Sequence, residues 1–336
     1  MLKTMKSISL VVALAGGALS AHAETLSIEG GGSASLTGIV PQAWAQFTPA
    51  AGYDLQVSLG QALTRSAIKV GAGRLDLAVV PPPAFNAMQR GVGPYANTAE
   101  QAQSFADNLR MLFTFPGGSF HPIVWADSGI DSWDDMAGKR IYVGPPAGAA
   151  ANQARGMIHE ASGGLEDGSD YEGVRLPWES ASQAFQDGQF DMYIMSAAVG
   201  QQSVQELSLQ RDIRILGVPG EVVDSEGWRN YLEDQAVRTE VVPAGTYQGQ
   251  VNGDMDQNIM VTVMMLGANK NMSDETAYAL TKSFFDNLDN MQSANALLAR
   301  LDADDPFAGA NMPVHPGAAR YYEEQGITIP EHLVAD

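Results

Sequence analysis

The feature that most constrains this chain is a pattern it carries twice. Residues 25–29 form a short β-prone run, followed by Gly30-Gly31-Gly32-Ser33, a helical pattern over 36–47 and a second β-prone run over 54–59. A helical stretch with Leu63, Ala67, Ile68 and Val70 comes next, stops at Gly71-Ala72-Gly73, and gives way to Asp76 and the apolar run Leu77-Ala78-Val79-Val80. The same order restarts at Arg140: strand Ile141-Tyr142-Val143, loop Gly144-Pro145-Pro146-Ala147-Gly148, helix over 149–161, strand near 174–176 and helix over 180–186. It closes on Gly188-Gln189-Phe190-Asp191-Met192-Tyr193-Ile194-Met195. Both units end in G-x-x-D and four apolar residues, and they span 46 residues from Gly30 to Asp76 and 47 from Gly144 to Asp191. Each reads as β-loop-α-β-α-β, which packs as a parallel layer with right-handed crossovers. The chain is therefore expected to be α/β, with two lobes built on mainly parallel sheets.

Two further apolar runs are natural candidates for strands that cross between the lobes: Phe120-His121-Pro122-Ile123-Val124-Trp125 and Ile259-Met260-Val261-Thr262-Val263-Met264-Met265-Leu266. The expected division is 24–122 with 263–336 as the first lobe and 123–262 as the second, with helical stretches over 274–291 and 316–325 returning to the first. Lobes joined by paired strands make a hinge, and ligand sites favour such an interface.

The first 23 residues read as a secretory signal peptide. Lys3 and Lys6 form a basic start, residues 8–19 are apolar and small, and Ala21-His22-Ala23 ends on an A-x-A cleavage pattern. The apolar part is shorter than the roughly 20 residues that span a bilayer, and no later run is long enough. The mature chain is expected to be periplasmic, with no membrane insertion. It has no cysteine, so no disulfide links the lobes, but a chain of this length can bury a sufficient core. Removing the leader takes the formal charge from −20 to −22, which excludes nucleic acid as a partner through phosphate repulsion. An anionic small molecule is not excluded, because a cleft responds to its local dipoles more than to net charge.

In an open parallel sheet, the loops leaving the carboxyl ends of the strands line the ligand crevice. That rule selects 30–35, 59–63, 81–85, 144–150, 177–180 and 196–200, and within them Gly31, Gly32, Ser33, Gln61, Pro82, Ala147, Gly148, Ala149, Ala150, Ser180 and Ser196 as candidate ligand contacts. Helix N-termini carry free N–H donors and about +0.5 charge, so two such ends facing one cleft would hold a carboxylate. Arg65 and Arg155 stand on the helices behind two of these loops and are candidate bidentate partners, or else members of solvated helix faces. Trp178 and Tyr247 could wall an apolar ligand body or pack in the second lobe.

No catalytic residue, cofactor or metal is expected. Neither glycine loop completes a P-loop or G-x-G-x-x-G, and no G-x-S-x-G elbow is present. The histidines at 121, 159, 315 and 332 are scattered, with no H-x-x-x-H pair and no cysteine beside them. His315 before Pro316 reads as a helix-entry residue and His121 as structural.

The run from His121 to Ile130 and then Ser132-Trp133-Asp134-Asp135-Met136-Ala137-Gly138-Lys139-Arg140 is similar to the first crossover of many periplasmic receptors. Pro243-Ala244-Gly245-Thr246-Tyr247-Gln248-Gly249-Gln250 and His315-Pro316-Gly317-Ala318-Ala319-Arg320-Tyr321-Tyr322 narrow this to the TAXI (TRAP-associated extracytoplasmic immunogenic) solute receptors. The resemblance covers nearly the whole mature chain. It implies a type II periplasmic binding fold and a TRAP membrane subunit, of the fused kind, as partner in a sodium-coupled carrier. Ligands of the family include glutamate and other small organic acids. This sequence departs from the family pattern at Gly30 to Leu36, which lacks the usual Tyr, at Gly148 and Ala150, where Ser and Thr are usual, and at Pro81-Pro82-Pro83, where Q-S-D is usual. Each departure removes polar side-chain donors, which points to a small organic anion less polar than glutamate. A receptor of the same fold feeding an ATP-driven importer is the alternative.

Overall fold

The structure, a computed structural model, describes residues 23–146, 149–301 and 305–335. The leader expected over 1–23 thus lies almost wholly outside the described residues, as do Ala147 and Gly148. The first unit is β1 (Glu24–Glu29), α1 (Leu36–Trp44), β2 (Tyr53–Ser58), α2 (Leu63–Gly71) and β3 (Leu77–Val80). Helices α3 (Pro82–Arg90) and α4 (Ala99–Ala106) lead into the long strand β4 (Leu109–Trp125). The second unit is β5 (Arg140–Gly144), α5 (Ala150–Ser162), β6 (Glu172–Arg175), α6 (Trp178–Gln186) and β7 (Met192–Ala197). There follow α7 (Gln202–Gln210), β8 (Ile213–Ile215), α8 (Gly220–Val223), α9 (Glu226–Gln235), β9 (Val237–Val242) and β10 (Gln257–Asn269). Helices α10 (Asp274–Phe285), α11 (Leu288–Ala294) and α12 (Pro316–Glu324) complete the chain.

The strands form one continuous ladder in the order β2-β1-β3-β10-β4-β7-β5-β6, with β8 added to β4 and β9 to β10. Among the named strands, parallel pairing is confined to β2-β1-β3 and β6-β5-β7, while β10 and β4 run antiparallel to every named strand they pair with. The two halves are built alike: β3 pairs with β10 as β7 pairs with β4, antiparallel in both cases.

The two G-x-x-D segments do equivalent work. Gly73 and Gly188 adopt φ of 67° and 70°, the left-handed conformation that ends α2 and α6 and that glycine enters without a Cβ penalty. Asp76 then accepts hydrogen bonds from the Ser27 amide at 2.8 Å and its hydroxyl at 2.7 Å, tying the start of β3 to β1. Asp191 accepts from the Arg140 amide at 2.8 Å and from its guanidinium, tying the start of β7 to β5.

Packing divides the molecule into two halves. One apolar cluster contains Leu26, Ile28, Trp44, Val79, Phe113, Phe115, Met265, Phe284 and Tyr322. Two others cover the faces of the second sheet half, with Phe120, Val143, Ile158 and Met260 on one and Ile123, Tyr142, Phe185 and Ile259 on the other. The change of core therefore falls between Phe115 and Phe120 on β4 and between Met260 and Met265 on β10. The ladder between these strands shifts register at Val261/Val263, opposite Pro116 and Ser119. Helix α10 ends at Phe285 and a separate α11 begins at Leu288, where one continuous helical stretch over 274–291 was expected. Asn287, at φ −113° and ψ 14°, breaks it.

Candidate ligand-binding site

Strand direction decides where the loops go. Because β10 runs from the second core into the first, antiparallel β3 ends at the hinge, with Val80 opposite Met265. Because β4 runs the other way, antiparallel β7 also ends there, with Ala197 opposite Ser119. The carboxyl ends of both parallel triplets are thus directed to the hinge, and Ala198, just beyond β7, packs into the first lobe's cluster.

The turn from β1 to α1 is the most elaborate of these ends. The Gly31 amide donates to the Thr37 carbonyl at 3.1 Å, and the carbonyls of Gly31 and Gly30 accept from the amides of Gly60 and Gln61 at 2.8 and 3.1 Å. Backbones approach so closely that a Cβ on Gly38 would lie 2.4 Å from the Gly32 carbonyl oxygen, and one on Gly31 would lie 2.1 Å from Thr37 Oγ1. The Ser35 amide and hydroxyl both donate to the Gly32 carbonyl, at 3.0 and 2.8 Å, which closes the turn. The N–H groups of Gly32, Ser33 and Ala34 have no acceptor among the described residues, and these three residues are exposed. With the amides of Leu36 and Thr37, which also have no acceptor among the described residues, they form a cradle of donors at a positive helix end.

The remaining candidates fall into distinct situations. Gln61 is half-buried and spends its side-chain amide on the Leu59 carbonyl at 3.0 Å. Arg65 lies in the first turn of α2, is exposed, and makes no ion pair among the described residues. A cation there opposes the helix dipole, so its place is not explained by helix stability. Pro82 is buried at the start of α3, with Pro83 behind it; neither has an N–H, and the Pro82 carbonyl accepts from Asn311 Nδ2 at 3.0 Å. Ala149 and Ala150 stand at the start of α5, half-buried and without donors beyond the backbone. Ser180 turns its hydroxyl back to the Pro177 carbonyl at 3.0 Å. Ser196, half-buried near the end of β7, has a hydroxyl with no hydrogen bond among the described residues and lies against Gly118, where an added Cβ would be 2.1 Å from its Oγ.

Arg155 is held within the second lobe. Its Nε donates to the Ala151 carbonyl at 3.0 Å, its Nη2 to Asn152 at 3.2 Å, and it pairs with Asp167 at 3.7 Å. His121 is fully buried, and desolvation pushes its imidazole down to about 4, so it is neutral at ordinary pH. Its Nδ1 donates to the Ser119 carbonyl at 3.0 Å, leaving Nε2 to accept from the Tyr247 hydroxyl at 3.0 Å. His315 caps α12, its Nδ1 accepting from the Gly317 amide at 3.1 Å. Trp178 is partly exposed and meets Tyr142 edge-on at 5.8 Å.

Two contributors to the hinge region are not foreshadowed by any local motif. Asn311 reaches Pro82 from 229 positions away, and its Oδ1 is buried without a partner among the described residues. Arg300 pairs with Glu240 across the two lobes at 3.3 Å. Two surface hollows lie elsewhere, one of about 630 Å³ between α12 and the C-terminal segment, the other of about 380 Å³ around 138 and 167–173. Among the described residues no group of histidine, aspartate and glutamate could hold a metal ion, and no helix is long and apolar enough to cross a membrane.

Two matched parallel triplets joined by two antiparallel crossing strands define the type II periplasmic binding fold. The chain belongs to the NMT1-like family, whose model matches residues 43–326. Among solved structures, it is similar to the periplasmic aliphatic sulphonate-binding protein SsuA from Escherichia coli, at 14% identity over 92% of this chain and 96% of that one, with a TM-score of 0.49. It is also similar to a TRAP periplasmic solute-binding protein from Ochrobactrum anthropi, at 9% identity over 90% and 88% of the two chains, TM-score 0.47. A third is a marine metagenome TRAP solute-binding protein specific for aromatic acid ligands, at 12% identity over 91% and 83%, TM-score 0.43.

Proposed function

We propose that the mature chain is an exported periplasmic receptor of a TAXI-type TRAP transporter, which closes its lobes on a small organic carboxylate less polar than glutamate and delivers it to a fused membrane subunit. The observation that carries this reading is the donor cradle at Gly32, Ser33 and Ala34, set at a strand end directed to the hinge formed by two crossing strands. Backbone donors at a positive helix end favour an anion, and the alanines and prolines around the other strand ends favour an apolar body. Arg65 is the side chain best placed to add a bidentate contact. In this reading the leader is removed near Ala23, the lobes divide as 24–122 with 263–336 and 123–262, and the chain catalyses nothing.

The test is a thermal-shift screen of purified residues 24–336 against amino acids, keto acids, hydroxy acids, aromatic acids and sulfonates. At 100 times its dissociation constant, a ligand stabilises by about 2.7 kcal/mol, which moves the midpoint by several degrees. A screen in which only zwitterionic amino acids or uncharged solutes shift the midpoint overturns the ligand class.

A further inference from the structure

One chain of polar contacts runs from the β7–α7 loop across the hinge into the other lobe. The Gly200 amide donates to the Tyr247 hydroxyl at 2.9 Å, the hydroxyl donates to His121 Nε2 at 3.0 Å, and His121 Nδ1 donates to the Ser119 carbonyl at 3.0 Å. The Ser119 hydroxyl donates to one oxygen of Glu240, whose other oxygen pairs with Arg300 at 3.3 Å. Its last two members, Glu240 and Arg300, belong to different cores. Glu240 lies on β9, whose Val237 and Val242 pack in the second lobe, whereas Leu298 and Leu301, on either side of Arg300, pack in the first. The Glu240 side chain is 9% exposed and that of Arg300 36%, and the Ser119 that donates to Glu240 lies one residue beyond Gly117-Gly118, at the level where β4 changes core.

We infer that Arg300 and Glu240 form a latch across the hinge that holds the lobe arrangement seen here and so sets how readily the receptor closes. This rests on the two-lobe receptor reading and adds its regulation. A carboxylate as enclosed as Glu240 keeps its charge only with its partners in place, so a hinge motion that withdraws Arg300 leaves that charge uncompensated. The groups facing it are Ser119, Arg300 and Arg238, with His121 and Tyr247 nearby; burial pushes the Glu240 carboxyl up, and the Ser119 hydrogen bond and the two arginines oppose this. Tyr247 and His121 act as positioning residues, fixing Ser119 and the Gly200 loop to one another.

The experiment reads lobe geometry directly in the full mature protein without any solute. Because the chain has no cysteine, cysteines introduced at exposed Gln89 on α3 and Gln186 on α6 accept spin labels at those two places alone. Pulsed electron resonance then gives the interlobe distance distribution for the native protein, R300Q, E240Q and the double variant. The latch predicts a second distance in each single variant, with the ratio of arrangements shifted by about tenfold, and no further shift in the double variant. Native distributions in folded R300Q and E240Q overturn it, as does an additive shift in the double variant. Failure of the receptor reading looks different: no solute changes the native distances, whatever the variants do.

Discussion

Gly38→Ala is the substitution that most directly tests the β1–α1 cradle. The added methyl would lie 2.4 Å from the Gly32 carbonyl oxygen, 3.0 Å from its carbon and 3.2 Å from the Gly31 oxygen. All three are backbone atoms, so no rotamer change relieves the contact, and the Gly32 peptide must retreat by roughly 1 Å to restore van der Waals distance. Overpacking of this kind costs about 1–3 kcal/mol, and replacing glycine by alanine inside a helix returns up to about 1 kcal/mol, leaving a net loss of up to about 3 kcal/mol. Displacing Gly32 also pulls its carbonyl from the Ser35 amide and hydroxyl and misaligns the three open N–H groups. Losing one charge-assisted contact, worth about 1.5–3 kcal/mol, weakens anion binding by about 10- to 100-fold. The control is Gly73→Ala, which strains a φ of 67° in the same lobe with nothing within 4 Å of the new methyl. Calorimetric titration with an acid found by thermal shift should show weak binding for Gly38→Ala and native affinity for Gly73→Ala, although both lower the melting temperature by a few degrees. Native affinity in Gly38→Ala refutes the cradle.

The repeat makes a paired prediction: Asp76→Ala and Asp191→Ala should each destabilise their own lobe by about 1–2 kcal/mol, measured by denaturant unfolding. At Asp191, burial pushes the carboxyl up, but the Arg140 hydrogen bonds outweigh it and hold it below the ordinary range. A depressed carboxylate contributes fully above its unfolded value near 4 and loses that contribution as pH falls through the folded one, so the gap between native and Asp191→Ala stability should close below about pH 4. Arg65→Ala should weaken carboxylate binding by about 10-fold or more, whereas Arg155→Ala should leave it near native, because Arg155 is engaged by Ala151, Asn152 and Asp167; titration of both variants with one acid distinguishes the two.

The sequence by itself determined the two β-loop-α-β-α-β units, because hydrophobic period, glycine stops and aspartate starts are local signals: α1, β2, α2, β3, β5, α5 and β7 fall within a few residues of where that pattern puts them. It also located the two apolar runs that become the crossing strands. It could not extend the first of them back to Leu109, since Pro116-Gly117-Gly118 reads as a strand breaker, yet β10 pairs with β4 on both sides of a register shift at Gly117-Gly118 and the strand continues through it. Nor could it separate Arg65 from Arg155: both sit on helices behind glycine or alanine loops, and only the fold brings Asp167 to one of them. Glu240 and Arg300 have no common motif, and Asn311 and Pro82 are 229 residues apart. Such partners are chosen by how packed elements lie against each other, which a period of two or 3.6 residues does not encode.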